Sequence, residues 1–154
     1  MSYLDRLRRF WDRIYQKPDL LPSDIDPRER LSRFILTKRH IKPATSRVSP
    51  QAFIPSTRTA ETSVYRTERC AEQAIWEIGD NYVTALHPSH KPVIGRADLI
   101  AQVVFTQQLR VVSSPVPHPR HANIIGWPVE REKILMIATE LADKATLIIR
   151  SPTS

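Results

Sequence analysis

His118-Pro119-Arg120-His121-Ala122-Asn123-Ile124-Ile125-Gly126-Trp127-Pro128 is the stretch on which the fold turns. Residues 121–125 read as a strand, and Gly126 stops it. Pro128 then opens a helix expected over residues 129–145. Its buried stripe is Ile134, Ile137, Ala138, Leu141 and Ala145, with Leu135 and Ala142 beside it. Glu130 and Glu132 near the positive end of the helix dipole, and Lys144 near the negative end, suit that assignment. A strand passed through a tight turn to an amphipathic helix predicts a domain in which helices cover a sheet.

The neighbouring segments extend the same pattern. Leu147-Ile148-Ile149 is a terminal strand or an extended tail. Upstream, residues 114–117 form an extended connector and residues 110–113 a strand. Residues 101–109 are a short helix with Val103, Val104 and Leu109 inward, and residues 96–100 are a strand or the start of a helix. Residues 87–92 are a loop, residues 70–83 a helix, and Thr62-Ser63-Val64-Tyr65-Arg66 alternates as a strand. Asp26-Pro27-Arg28-Glu29 combines an acidic cap, a first-turn proline and a glutamate, which predicts a helix over residues 27–35 burying Leu31, Phe34 and Ile35. A switch to a strand near Phe34 is the alternative.

Pro43, Pro50 and Pro55 break any period between residues 37 and 62. That region is expected to be a long, basic, semi-ordered connection with a short edge segment at Val48 and the Phe53-Ile54 pair. At the other end, Tyr3, Leu4, Leu7, Phe10, Trp11, Ile14 and Tyr15 make one apolar stripe over residues 2–16, with Ser2 and Asp5 as a short capping box and Pro18 as the stop. The expected architecture is α+β: a small single domain over residues 27–150, several short strands covered by three or four helices. An N-terminal amphipathic helix (1–17) and a linker (18–26) precede it.

Charge and composition narrow the possible roles. The chain of 154 residues has 41% hydrophobic and 25% charged residues, ordinary globular usage, but 13 prolines, 3 glycines and a net charge of +7. Residues 28–60 hold eight bases, Arg28, Arg30, Arg33, Lys38, Arg39, Lys42, Arg47 and Arg58, against Glu29 alone, so this window carries the whole net charge. Such a concentration suits an anionic partner, and the ordinary alternative is a solvated face. Cys70 is the only cysteine, which excludes an internal disulfide and points to a reducing, cytoplasmic setting. No apolar run approaches the roughly 18 residues that span a bilayer, so no transmembrane segment is expected. Neither Gly-x-Gly-x-x-Gly nor a Walker lysine occurs, and no cofactor is expected.

Candidate chemistry centres on His118, Arg120 and His121. Two imidazoles beside a guanidinium suit metal-independent acid–base work on a phosphodiester, with Arg120 or Arg96 holding the phosphate. The plainer alternative has His121 and Asn123 bonding backbone at a strand edge. On a strand, His118 and His121 point to opposite faces, which disfavours shared metal ligation, and no metal is expected. Ser63 lacks a nucleophile elbow, and Glu77 with Arg66 and Ser63 only loosely imitates the sets of NAD-consuming toxins.

The order of short motifs, Arg33-Phe34-Ile35, Arg47-Val48-Ser49-Pro50-Gln51-Ala52-Phe53-Ile54-Pro55, the 62–66 strand, Arg96-Ala97-Asp98-Leu99, Leu109-Arg110-Val111-Val112 and His118 to Ile124, resembles a loose group of small bacterial proteins without an established activity. The likeness covers about residues 30–146. It implies a bacterial, intracellular domain and carries over no functional residue. The functional expectation is a non-catalytic domain that recognises a protein partner or nucleic acid. Binding would use Arg28, Arg30, Arg33, Lys38, Arg39, Lys42 and Arg47, with the N-terminal helix contacting a partner or a second copy. The alternative is a small enzyme, RNase-like or toxin-like, built on His118, Arg120 and His121.

Overall fold

The computed structural model describes residues 2–6, 9 and 21–152. Eight strands occur among them: β1 (Arg30–Ile35), β2 (Ile41–Lys42), β3 (Arg47–Val48), β4 (Thr62–Arg66), β5 (Gly95–Ile100), β6 (Arg110–Ser113), β7 (His121–Ile125) and β8 (Thr146–Ile149). Six of them form one sheet in the order β6-β7-β4-β1-β5-β8, and β2 and β3 form a separate ribbon. Each neighbouring pair is antiparallel. The helices are α1 (Glu72–Ile78), α2 (Ala101–Thr106) and α3 (Arg131–Lys144). A mixed sheet-and-helix fold is therefore present, as the sequence predicts.

The period-two alternation of the strands sorts side chains onto two covered faces. One face carries Leu31, Ile35, Val64, Ala97, Leu99, Ala122 and Ile124, packed against Val104 of α2, Ala138, Leu141 and Ala142 of α3, and Ala52 and Phe53. The other face carries Phe34 and Tyr65 against Ile75 and Ile78 of α1. Helix α1 runs straight into a wider turn over Gly79–Thr84.

The segment 27–35 departs from its helical expectation. The cap chemistry is real: Asp26 Oδ1 accepts from Arg28 N at 2.8 Å, and Asp26 O accepts from Glu29 N at 2.9 Å. It closes a single turn, and β1 follows at once. Leu31, Phe34 and Ile35 have helical spacing, but sheet burial on both faces reproduces that pattern. Pairing from Arg30↔Ile100 to Ile35↔Gly95 then sets the backbone, and β1 becomes a central strand.

The region 37–62 is more ordered than expected. Thr37 and Ser49 cap short 3-10 turns at Lys38–His40 and Pro50–Ala52. Val48, Ala52 and Phe53 are buried. The Thr62 hydroxyl donates to Phe53 O at 2.8 Å. Only the edge segment at Val48 matches the expectation, as β3. At the N-terminus Ser2 and Asp5 cap each other: the Ser2 hydroxyl donates to Asp5 Oδ2 at 2.7 Å, and Ser2 Oγ accepts from Asp5 N at 3.1 Å. Residues 3–6 and 9 are helical, as expected; residues 7, 8 and 10–16 of the expected helix, and residues 18–20 of the linker, lie outside the described residues. No helix among the described residues is long and apolar enough to cross a membrane.

Candidate functional site

The turn preceding β7 gathers the singled-out residues around one ring. His121 N donates to His118 O at 2.9 Å, which folds the two histidines toward each other. The Tyr65 ring centroid lies 5.3 Å from that of His121 and 6.2 Å from that of His118. The expectation of opposite faces thus fails, because His118 sits in a turn rather than on the strand.

Each imidazole has a tautomer set by its partners. His121 Nδ1 faces Ser114 O at 2.9 Å, and a carbonyl only accepts, so Nδ1 carries the proton. Its Nε2 then accepts from the Ser63 hydroxyl at 2.6 Å. His118 Nδ1 accepts from Arg120 N at 3.0 Å, which leaves the proton on Nε2. The His118 ring meets Tyr82 edge-on, with centroids 4.6 Å apart. Burial, then the Arg120 charge, pushes the pKa of His118 down; burial also dominates the lowering at His121.

Arg120 is 2% exposed. Its Nη1 donates to Arg66 O at 2.9 Å, and its Nη2 is buried without a partner. Arg66 holds Glu29 with two bonds, at 2.5 and 3.1 Å, and donates to Pro22 O at 2.6 Å. Arg96 is elsewhere on the sheet: it is tied to Glu72 and Asp98 and lies 4.6 Å over the Trp76 ring, so it is no second phosphate holder for these histidines. Arg66, Ser63 and Glu77 do not form one site either, since Arg66 is committed to Glu29.

His118 and Arg120 line a cavity of about 460 Å³ with Cys70, Glu77, Asn81 and Tyr82. Tyr65 and Tyr82 were not legible as site residues, because only the folded turn and the 79–84 segment bring them to the histidines. A larger apolar groove of about 810 Å³ lies between α3 and the 107–109 turn, with Leu135 and Met136 in its wall. Among the described residues no group of three His, Cys, Asp or Glu side chains converges as a metal site.

The basic segment divides. Arg33 points inward, donating to Ala52 O and Ser63 O at 2.9 Å each. Arg30 donates to the hydroxyl and carbonyl oxygens of Thr67, at 3.2 and 2.7 Å. Arg28 pairs with Asp26. Lys38, Arg39, Lys42 and Arg47 remain together on the ribbon and the turn leading into it, exposed apart from the half-buried Lys42.

The chain matches no known protein family, no curated protein and no solved structure.

Proposed function

We propose that this protein is a non-catalytic cytoplasmic domain that recognises a polyanion, nucleic acid foremost, through Lys38, Arg39, Lys42 and Arg47. One observation carries the reading. These four bases lie on one small ribbon and the turn leading into it, while the only acid of the 28–60 window, Glu29, is buried against Arg66 and offsets none of their charge at the surface. Arg30 and Arg33 serve the reading indirectly, since their hydrogen bonds to backbone and to Thr67 tie β1 to its surroundings. The lone cysteine accords with the cytoplasmic setting.

Fluorescence anisotropy with a labelled oligonucleotide, titrated at several salt concentrations, tests it. Four phosphate contacts predict that log affinity falls with log salt at a slope of about −3 to −4. Absence of binding at low salt, or binding unchanged when all four bases are replaced by alanine, sinks the reading. Salt-sensitive binding to an acidic protein but not to nucleic acid moves the partner to the protein class.

A second reading is a metal-independent enzyme acting on a phosphodiester. What favours it is the bond between the Ser63 hydroxyl and His121 Nε2, with His121 Nδ1 oriented by a carbonyl, beside a cavity walled by His118 and Arg120. His121→Ala that keeps its fold but loses hydrolysis of an RNA dinucleotide would support it.

A further inference from the structure

We infer that the cavity beside Arg120 is a binding site for a small organic monocarboxylate. The inference is independent of the polyanion reading, since none of the ribbon's bases lines this cavity.

Charge inside the fold is unbalanced here. Arg66 and Arg120 are both almost fully buried, and Arg120 donates to the carbonyl of Arg66 itself. The nearby buried carboxylate, Glu29, is engaged by Arg66 through both of its oxygens. Among the described residues no carboxylate pairs with Arg120. Two other neighbours can carry negative charge: Glu77, which is exposed at the cavity wall and accepts from Gln73 rather than pairing with Arg120, and the Cys70 thiol, which burial holds protonated against the opposing pull of Arg120 and Arg30. One buried guanidinium is therefore left without a counter-ion, and one of its terminal nitrogens without an acceptor. Buried cations are ordinarily paired, and buried donors ordinarily bonded.

The cavity supplies the remaining requirements. His118 presents a neutral Nε2–H, its proton placed by the bond that Nδ1 accepts from Arg120 N. Asn81 and Tyr82 add hydrogen-bonding groups, and Ala74 and Ile78 an apolar wall. A volume of about 460 Å³ suits a small organic molecule rather than a bare ion. Glu77 also lines the cavity. Its charge opposes a doubly charged phosphate more than a single carboxylate, which decides between the two. Nη2 of Arg120 is closed off from water, so the anion reaches it by displacing a wall side chain, or acts on its charge across one.

The test uses the full chain with benzoate, benzamide and inorganic phosphate as probes, read by calorimetry and thermal denaturation. Benzoate is expected to bind saturably and raise the melting temperature, the uncharged benzamide to do neither, and phosphate to bind more weakly than benzoate. Arg120→Gln is expected to weaken benzoate by about tenfold or more. Should that variant fail to fold, Ala74→Leu fills the cavity without touching Arg120 and is expected to lose benzoate while keeping its circular dichroism spectrum. No saturable benzoate binding to the unmodified protein, or unchanged binding in a folded Arg120→Gln or Ala74→Leu protein, overturns the site. Tighter phosphate than benzoate overturns the carboxylate assignment. Benzoate binding that survives replacement of the four ribbon bases keeps this site separate from polyanion recognition.

Discussion

Arg66 and Glu29 show how much of this fold hangs on single buried charges. Removing one partner strands the other in the core. Arg66→Met is expected to destabilise by about 3–5 kcal/mol, and the double replacement with Glu29→Met to recover much of that, measured by urea denaturation. Recovery stays incomplete because Arg66 also holds Pro22 O. Acid should act through the histidines. His40 is lowered to about 4 by burial first and then by Arg33 and Arg39; His118 and His121 are also lowered, chiefly by burial. The unfolded chain, with imidazoles near 6.5, then binds more protons than the folded one, so their contribution is complete above pH 6.5 and is lost as pH falls toward 4. Melting temperature should drop across that window, and His40→Gln should flatten the drop, with about one fewer proton taken up on unfolding. A flat profile for the unmodified protein contradicts this. At this scale the sequence shows which residues are chemically interesting and little about what they meet. Glu29 reads as a helix-cap residue, and its partner lies 37 positions away.

Elements with strong local patterns were legible, and one without was misread. The strands at 62–66, 110–113 and 121–125 and the long final helix follow from alternation, turn residues and an apolar stripe. β1 was read first as a helix, with a strand near Phe34 as the alternative, because its cap is local while its pairing with β4 and β5 is not. Of the ribbon only the edge segment at Val48 was legible, for the same reason: two-residue strands leave no period to read, and their order comes from Val48, Ala52 and Phe53 settling into the core. Two glycines hold elements together in ways a substitution exposes. A Cβ on Gly95 would stand 2.9 Å from Ile148 O, a backbone atom of the neighbouring strand. Gly95→Ala is expected to cost about 1–3 kcal/mol and to raise amide exchange through β8. Gly126, with φ of +89°, makes the turn between β7 and the final helix. Gly126→Ala is expected to cost about 1 kcal/mol or more at that turn, seen as a lower urea midpoint with an unchanged slope.

Across the whole molecule the positive charge is partitioned between inside and outside. Arg66, Arg96 and Arg120 are buried and organise the sheet, and Arg33 is bonded to backbone in its interior. Net charge from the sequence therefore overstates the number of bases facing solvent from residues 28–60, while correctly marking the part of the chain that carries them. Lys38→Glu with Arg47→Glu should weaken oligonucleotide binding by about tenfold or more at low salt, yet shift the melting temperature little, since neither residue has a buried partner among the described residues. A large stability loss instead would mark these residues as structural. The order of strands has a consequence for synthesis. Among the described residues β1 is made first, yet it lies in the middle of the sheet, between strands that begin only at Thr62 and Gly95. At ribosomal speeds, its second neighbour arrives on the order of seconds after it emerges. Through that interval Leu31, Phe34 and Ile35 have no complete sheet to enter. The nascent chain, not the finished protein, is where a chaperone or a second copy would find its most adhesive surface.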